Sequence, residues 1–353
     1  MAIARPITVV STDGPTNTIL RTTGPQHFFL THPAAVVDGF LLTGGNLGFG
    51  NYGAVNLNGG TLRRCIVTGN SIGSCGGVFV ASGTVERCVV TNNSASHQNS
   101  GYGGGLRMTG GLACDTVISA NTANDGGGGV YMSGGLVSNC TIHANRRSGG
   151  NVGRFGGGVW LAGGLLVNCD IRSNAVVNAT DAGGGGVYMA GGTSRTCLVT
   201  ANTVTNNGAG VYMDGGQLQN ATVVGNTTVN PTGAVAGLYL AGGGATNCII
   251  YYNLSLGGLG GDVGGLTTNI GHSCAPTLVA GARGNISADP HLAGTNAANY
   301  RPVSGSPCVD RGRNLEWMPA ARDLDGNPRV IRSVVDMGAY ELAPFVRTVV
   351  IIR

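Results

Sequence analysis

The chain has no lysine: all 20 of its basic residues are arginine. That excludes Schiff-base catalysis and the phosphate-gripping lysine of a P-loop. Charge of either sign is scarce, with 10% of the 353 residues charged and a net charge of +4 spread along the chain. Without a basic cluster there is no electrostatic footprint for nucleic acid, and no nucleic-acid partner is expected. No run of 18 apolar residues occurs, so no helical membrane span is expected. The opening MAIARPITVVSTDG is too short and too soon interrupted for a signal peptide. Aromatic residues make up only 5%, yet their placement proves informative.

Glycine is abundant at 65 residues while proline stays at 12, and glycine does not recur at every third position, which excludes a collagen-like chain. An apolar share of 42% supplies ample core and argues against disorder.

The glycines belong to a repeated phrase. Residues 126–145 read GGGGVYMSGGLVSNCTIHAN, residues 155–174 FGGGVWLAGGLLVNCDIRSN and residues 183–202 GGGGVYMAGGTSRTCLVTAN. Two anchors, the apolar residue after the glycines and the closing asparagine, recur as Val55/Asn70, Val78/Asn93, Leu106/Asn121, Val130/Asn145, Val159/Asn174, Val187/Asn202, Val211/Asn226 and Leu238/Asn253. Every pair is 15 residues apart, whereas the return to the next anchor varies from 8 to 14. One part of the unit is fixed, and one corner absorbs all insertions.

Alternation inside the fixed part has period two, the mark of strands: Val130 and Met132 flank Tyr131, and Ser138, Cys140 and Ile142 alternate with Asn139, Thr141 and His143. Gly134 and Gly135 provide a turn. A unit of 23 to 29 residues cannot bury its own apolar face, so units must stack. In-register stacking gives an all-β parallel solenoid of about nine or more coils, counting a degenerate one around Phe40, and a rod roughly 45 Å long. We expect coils over residues 1–268, a loop-rich closing segment over 269–343 packed on them, and a free or edge-pairing strand over 344–353.

The units GGGVYM…GG…NCTI resemble the right-handed parallel β-helix superfamily, which includes pectate lyases and bacterial surface passengers. SPCVDRG (306–312) and DLDGNPRVIRSVVDMGAYE (323–341) resemble the closing segment of secreted bacterial β-helix proteins. The resemblance implies a right-handed β-helix in an extracellular or cell-surface setting, and no single reaction.

Several ladders follow from the register. Cys65, Cys88, Cys140, Cys169, Cys197 and Cys248 share an inward position with Thr116 and Ala221, and Cys114 is expected to point the same way. A linear stack does not offer tetrahedral thiolate geometry, so the row reads as core and no metal is assigned. Cys274 and Cys308 lie outside the repeat and are a candidate disulfide in an oxidising compartment. The asparagines mark turns, where asparagine tolerates the left-handed region and its amide can bond the coil above.

Asn56, Phe79, Arg107, Tyr131, Trp160, Tyr188, Tyr212 and Tyr239 form an outward row. Stacked aromatics could bind sugar rings, or stack upon one another and stabilise the sheet. Beside the row, Arg146, Arg147 and Arg154 share one loop with Asp181 a coil away, a grouping suited to carboxylates such as uronic acids or simply to solvated charge. Candidate ligand-binding residues are therefore Arg107, Tyr131, Trp160, Tyr188, Tyr212, Tyr239, Arg146, Arg147, Arg154 and Asp181.

The coil acids Glu86, Asp115, Asp125, Asp170, Asp181 and Asp214 are isolated, and no catalytic residue or cofactor is assigned. DLDGN opens like a calcium loop, but Val334 stands where a bidentate glutamate is needed. The reading is a non-catalytic, secreted or surface-displayed rod, adhesin-like or fibre-forming by head-to-tail association of its ends. A carbohydrate-binding module using the aromatic row and a β-helix polysaccharide lyase or hydrolase are the alternatives.

Overall fold

A computed structural model describes residues 1–24, 26–47, 52–149, 155–177, 183–229, 234–256, 261–294 and 299–343. The chain is an all-β right-handed parallel solenoid, as the repeat and the resemblance led us to expect. One coil shows the plan. Val130–Met132 runs straight, the chain bends at Gly134–Gly135, and Leu136–Ser138 continues in the same sheet. It then turns at Asn139 into Thr141–His143, and turns again at Ala144 into Arg146–Arg147.

Among the described residues, repetition of this plan builds a 20-stranded sheet from the first two strand types, a 10-stranded sheet from the third and a 9-stranded sheet from the fourth. Two coils lie ahead of the regular repeat. They carry Ala2–Ile3, Thr8–Val10 and Ile19–Arg21, then Phe28–Leu30, Val36–Asp38, Leu41–Thr43 and Asn46–Leu47.

The interior is a single apolar column. Val130, Met132, Val137, Cys140 and Ile142 are buried, as are their counterparts Val159, Leu161, Leu166, Cys169 and Ile171 one coil on. Here the simple alternation fails in one respect. Asn139 adopts a left-handed backbone at φ 52°, which shifts the phase, so that Val137 and Cys140 point inward while Ser138 does not. Cys114, paired in register with Ser138, is consequently half-exposed and outside the thiol row.

The asparagine ladder is inward, and at every rung the left-handed residue is the one before it. Ala144 (φ 54°), Ser173 (φ 55°) and Ala201 (φ 53°) make the turn; Asn145, Asn174 and Asn202 are buried. Only Asn92, the neighbour of ladder member Asn93, is an asparagine in that conformation at this corner. The side chains explain the division of labour. Asn174 Oδ1 accepts from Asn145 N at 2.9 Å and from Asn145 Nδ2 at 3.0 Å. Its own Nδ2 donates to Ile142 O at 2.9 Å and to Asn202 Oδ1 at 3.0 Å. A buried amide thus has both its oxygen and its nitrogen satisfied by neighbouring coils.

The glycine before every apolar anchor except Val55, which follows Ala54, makes room for this ladder. A Cβ on Gly129 would lie 2.8 Å from Asn145 Nδ2, and one on Gly158 or Gly186 equally close to Asn174 or Asn202 Nδ2. Gly135, by contrast, is required twice over: its φ is 83°, and a Cβ would meet Gly110 O at 2.6 Å.

At its last rung the ladder changes chemistry. Asn253 donates its backbone N–H and Nδ2 to Asp262 Oδ1 at 2.8 and 2.7 Å. Burial raises the Asp262 carboxyl above the usual range, only partly opposed by these hydrogen bonds. Beyond it, Cys274 bridges to both Ile249 and Ile286, and Ala275 and Leu278 enter the core, so residues 272–286 close this end of the column.

Two outcomes test the ladder. Asn174→Ala, which strands donors and acceptors in two neighbouring coils, should cost about 2–4 kcal/mol in denaturant unfolding, because unsatisfied buried amide groups cost roughly 1–3 kcal/mol each. Asp262→Asn extends the ladder with a neutral amide. A carboxyl whose pKa is raised by folding stabilises below its unfolded value near 3.8 and loses that contribution as pH rises through the folded value. The variant should therefore gain on the wild type at pH 7 and lose that gain below about pH 3.8; equal urea midpoints at both pH values would contradict this.

Candidate functional site

The outward row is continuous in register, from Asn56 through Phe79, Arg107, Tyr131, Trp160, Tyr188 and Tyr212 to Tyr239. Its rings contact one another. Tyr131 and Trp160 meet edge to face at 5.5 Å, Trp160 and Tyr188 at 5.4 Å, and Tyr212 stacks on Tyr239 at 5.1 Å. Tyr102 packs 5.0 Å from Tyr131 and Phe155 6.0 Å from Trp160. Tyr188 is only 6% exposed and Tyr212 2%, and the Tyr188 hydroxyl donates to Asp214 at 2.6 Å.

The expectation of a solvent-facing row is thus corrected for its middle: neighbouring coils and the covering rings Tyr102 and Phe155 leave the row partly buried. Arg107 interrupts it as a cation among rings, with its guanidinium carbon 5.8–6.0 Å from Phe79, Tyr102 and Tyr131.

The arginine group also divides. Arg146 is exposed, but Arg147 is fully buried, occupying the core position held by Ala123 and Val176 in adjacent coils. Its guanidinium carbon lies 3.8 Å from the Phe155 ring centroid. Burial lowers its pKa while Asp125 acts in the opposite sense. Arg147 is therefore not presented to a uronic acid in solution. Asp125 Oδ2, for its part, accepts from Gly101 N at 3.0 Å. Arg154 and Asp181 lie outside the described residues.

The closing segment does not extend the rod; residues 299–343 run back along its side as a strap. Ala339 and Tyr340 cover Leu198 and Val224 on the outer face of the third-strand sheet. Ala339 N donates to Thr222 Oγ1 at 2.9 Å, and Gly338 N to Asn247 O at 2.7 Å. Gly338 lies so flat that a Cβ would meet Thr222 Oγ1 at 2.7 Å. Beneath, Arg329 is wholly buried and pairs with Glu341 at 3.0 Å, donating also to Asp336 O and Gly338 O. Burial pushes the Glu341 carboxyl up to about 8 against the pull of Arg329.

DLDGN is a turn: Asp323 Oδ1 accepts from the backbone of Asp325 and Asn327 at 2.9 and 2.7 Å, and Oδ2 from Glu341 N at 2.8 Å. Cys274 and Cys308 are two buried thiols in one cluster with Ile249 and Met337, and their mutual hydrogen bond holds the Cys274 thiol well above its usual range.

Where the strap stops short of covering the sheet, it leaves a groove that sequence reasoning did not find. A cavity of about 540 Å³ is walled by Asn139, Thr141, Asn168 and Asp170 on the coils and by the 322–326 turn of the strap. A second, of about 290 Å³, shares Asn168 and Arg322 and adds Arg195 and Trp317. Arg195 lies 4.9 Å from the Trp317 ring, and its Nε donates to Gln219 Oε1 at 3.0 Å. Asp170 pairs with Arg172 at 2.9 Å, and Asp325 with Arg301 at 2.5 Å. The sequence carried no periodic signal for this groove: the outward row of the third strand reads Ile66, Val89, Val117, Thr141, Asp170, Leu198, Thr222 and Ile249, apolar on both sides of it. Among the described residues no three histidine, cysteine, aspartate or glutamate side chains group as metal ligands.

Residues 53–228 match the family described as right handed beta helix region. The match agrees with the right-handed parallel β-helix fold of the coils. No curated protein matches it. Among solved structures, the crystal structure of pectate lyase Pel9A is similar at 13% identity and a TM-score of 0.49, over 96% of this chain and 87% of that one.

Burial pushes the Cys65 thiol up to about 11 and Cys75 and Cys248 up to about 12; hydrogen bonds to Cys169 lower Cys140 and Cys197 instead, but these two are buried and closed to reagent. At pH 8 a thiol of pKa 11 is ionised about one part in a thousand, and the thiolate is the reactive form. The native protein should therefore titrate no more than one of its ten cysteines, Cys114, with a chromogenic disulfide reagent. In denaturant without reductant, ten reacting thiols would exclude the 274–308 disulfide and eight would support it.

Proposed function

We propose that this chain is a non-catalytic structural rod, secreted or displayed on a cell surface, adhesin-like or fibre-forming by association through its ends. The carrying observation is that the outward aromatic row is spent largely on itself, so the feature best suited to a ligand forms a spine instead. The strap's acids are similarly committed to backbone groups and arginines.

End association draws support from the first coil. Ala2–Ile3, Thr8–Val10 and Ile19–Arg21 each pair with a single described strand, and Ile7, Val10 and Ile19 are exposed there. Among the described residues no further strand pairs with this edge, and a parallel edge with apolar side chains is a template for another chain. The opposite end is closed by residues 272–286, and the strand expected over 344–353 lies outside the described residues.

Negative-stain imaging and sedimentation should show rods that lengthen end to end with concentration, and Ile19→Glu should suppress this. Monomers at every concentration would overturn the fibre reading. Incubation with pectins, alginates and glycosaminoglycans should release neither reducing ends nor unsaturated products; saturable turnover of any of them would overturn the non-catalytic reading.

A further inference from the structure

The smaller cavity under the strap has an unusual wall. Its polar lining is Arg195, Arg322, Trp317 and Asn168, with Val167, Ala320 and Ala321 completing it and no carboxylate among them. The nearby acids already have cations: Asp170 has Arg172 and Asp325 has Arg301. Asp323 is spent on backbone N–H groups.

Neither cavity arginine makes an ion pair with a described acid. Arg195 bonds the neutral Gln219 and faces Trp317, and Arg322 donates to Gly326 O at 3.3 Å. Burial lowers the Arg195 pKa with no carboxylate to offset it. Trp317 Nε1 is a buried donor with no described acceptor, and Asn168 Oδ1 a buried acceptor with no described donor. The pocket thus gathers donors and positive charge around an indole.

We propose that this pocket binds an organic oxyanion carried on a small ring, the anionic group lying between Arg195 and Arg322 and the ring against Trp317. Guanidinium groups favour carboxylate and sulfate alike through charge-assisted hydrogen bonds, and an indole offers the ring an apolar edge. At about 290 Å³ the pocket holds one such ring. The adjoining 540 Å³ cavity, with Asn139, Thr141 and Asp170, leaves room for a longer molecule beyond it. The site lies beneath the strap at the Asn168 turn, between the strands Leu165–Val167 and Asp170–Arg172, well apart in the coil from the aromatic row. It is independent of the rod reading: association and turnover can each come out either way while the pocket binds.

The test is ligand-observed NMR on the full chain at low salt with glucuronate, glucose 6-sulfate and glucose. Saturable binding of glucuronate, of glucose 6-sulfate or of both is expected, with glucose at least about tenfold weaker, since a charged hydrogen bond is worth roughly 1.5–3 kcal/mol. Which acid binds distinguishes a carboxylate from a sulfate ester as the natural group. Arg195→Gln should weaken the acid about tenfold or more and leave glucose unchanged. Arg322→Gln, at an exposed side chain, gives the same reading without risk to the fold. Equal binding of glucose and the acids, failure of both acids to bind, or unaltered acid affinity in a folded Arg322→Gln variant would overturn the proposal.

Discussion

The structure depends on a buried amide that must be satisfied by the coils on either side of it. Asn174 holds this position between Asn145 and Asn202, and each rung uses two donors and two acceptors. An amide in an apolar column is tolerable only when fully bonded, so every coil must place its asparagine at the same height and depth. That requirement accounts for the constant 15 residues between the apolar anchor and the asparagine. It also accounts for glycine at 129, 158 and 186, where any side chain would collide with the ladder amide. The abundance of glycine is thus in part a consequence of one inward polar row, and less a matter of flexible turns.

Once the interior is fixed by repetition, the outer faces are free to differ, and this chain covers parts of two of them. On the first-strand face the rings of neighbouring coils contact one another, with Arg107 held among them. On the third-strand face the strap supplies Tyr340 and Met337, and positions that would otherwise be solvent-exposed, Leu198 and Ile249, become a second core. Arg329 inside the strap is expensive to bury, which explains why Glu341 and two carbonyl oxygens converge on it. The closing GAYE therefore has a role at each residue: close approach, fill, cover and counter-charge.

The coil was legible because its signals are periodic. Spacing alone gave the stacked units, the inward valines and methionines, and the register of the outward row. What was not legible required three dimensions. Asn139 and its counterpart Asp115 look like alternating strand residues, yet their left-handed backbones reset the phase, and at Asp115 this turns Cys114 outward. Arg147 looks like loop charge beside Arg146, but the next coil places it at a core position over Phe155. The groove was hidden for a different reason: Asp170 and Arg195 are far in sequence from Trp317 and Arg322, and no repeat relates the two segments.

The same logic locates where specificity can reside. A position inside the repeat cannot change without disturbing both neighbours, since its contacts are with copies of itself. A strap residue faces no copy of itself, so Trp317 or Arg322 can vary while the ladder stays intact. Insertions at the variable corner share that freedom, but there the row behind them is already occupied by its own rings. At the strap border the coil side contributes Asn139 and Asn168, which sit at the phase-resetting turn and carry side chains that the column does not use. A turn the fold needs for its backbone thus leaves amides unspent, next to a segment free to bring an indole and a guanidinium, and that conjunction is what a recognition site on a rigid rod requires.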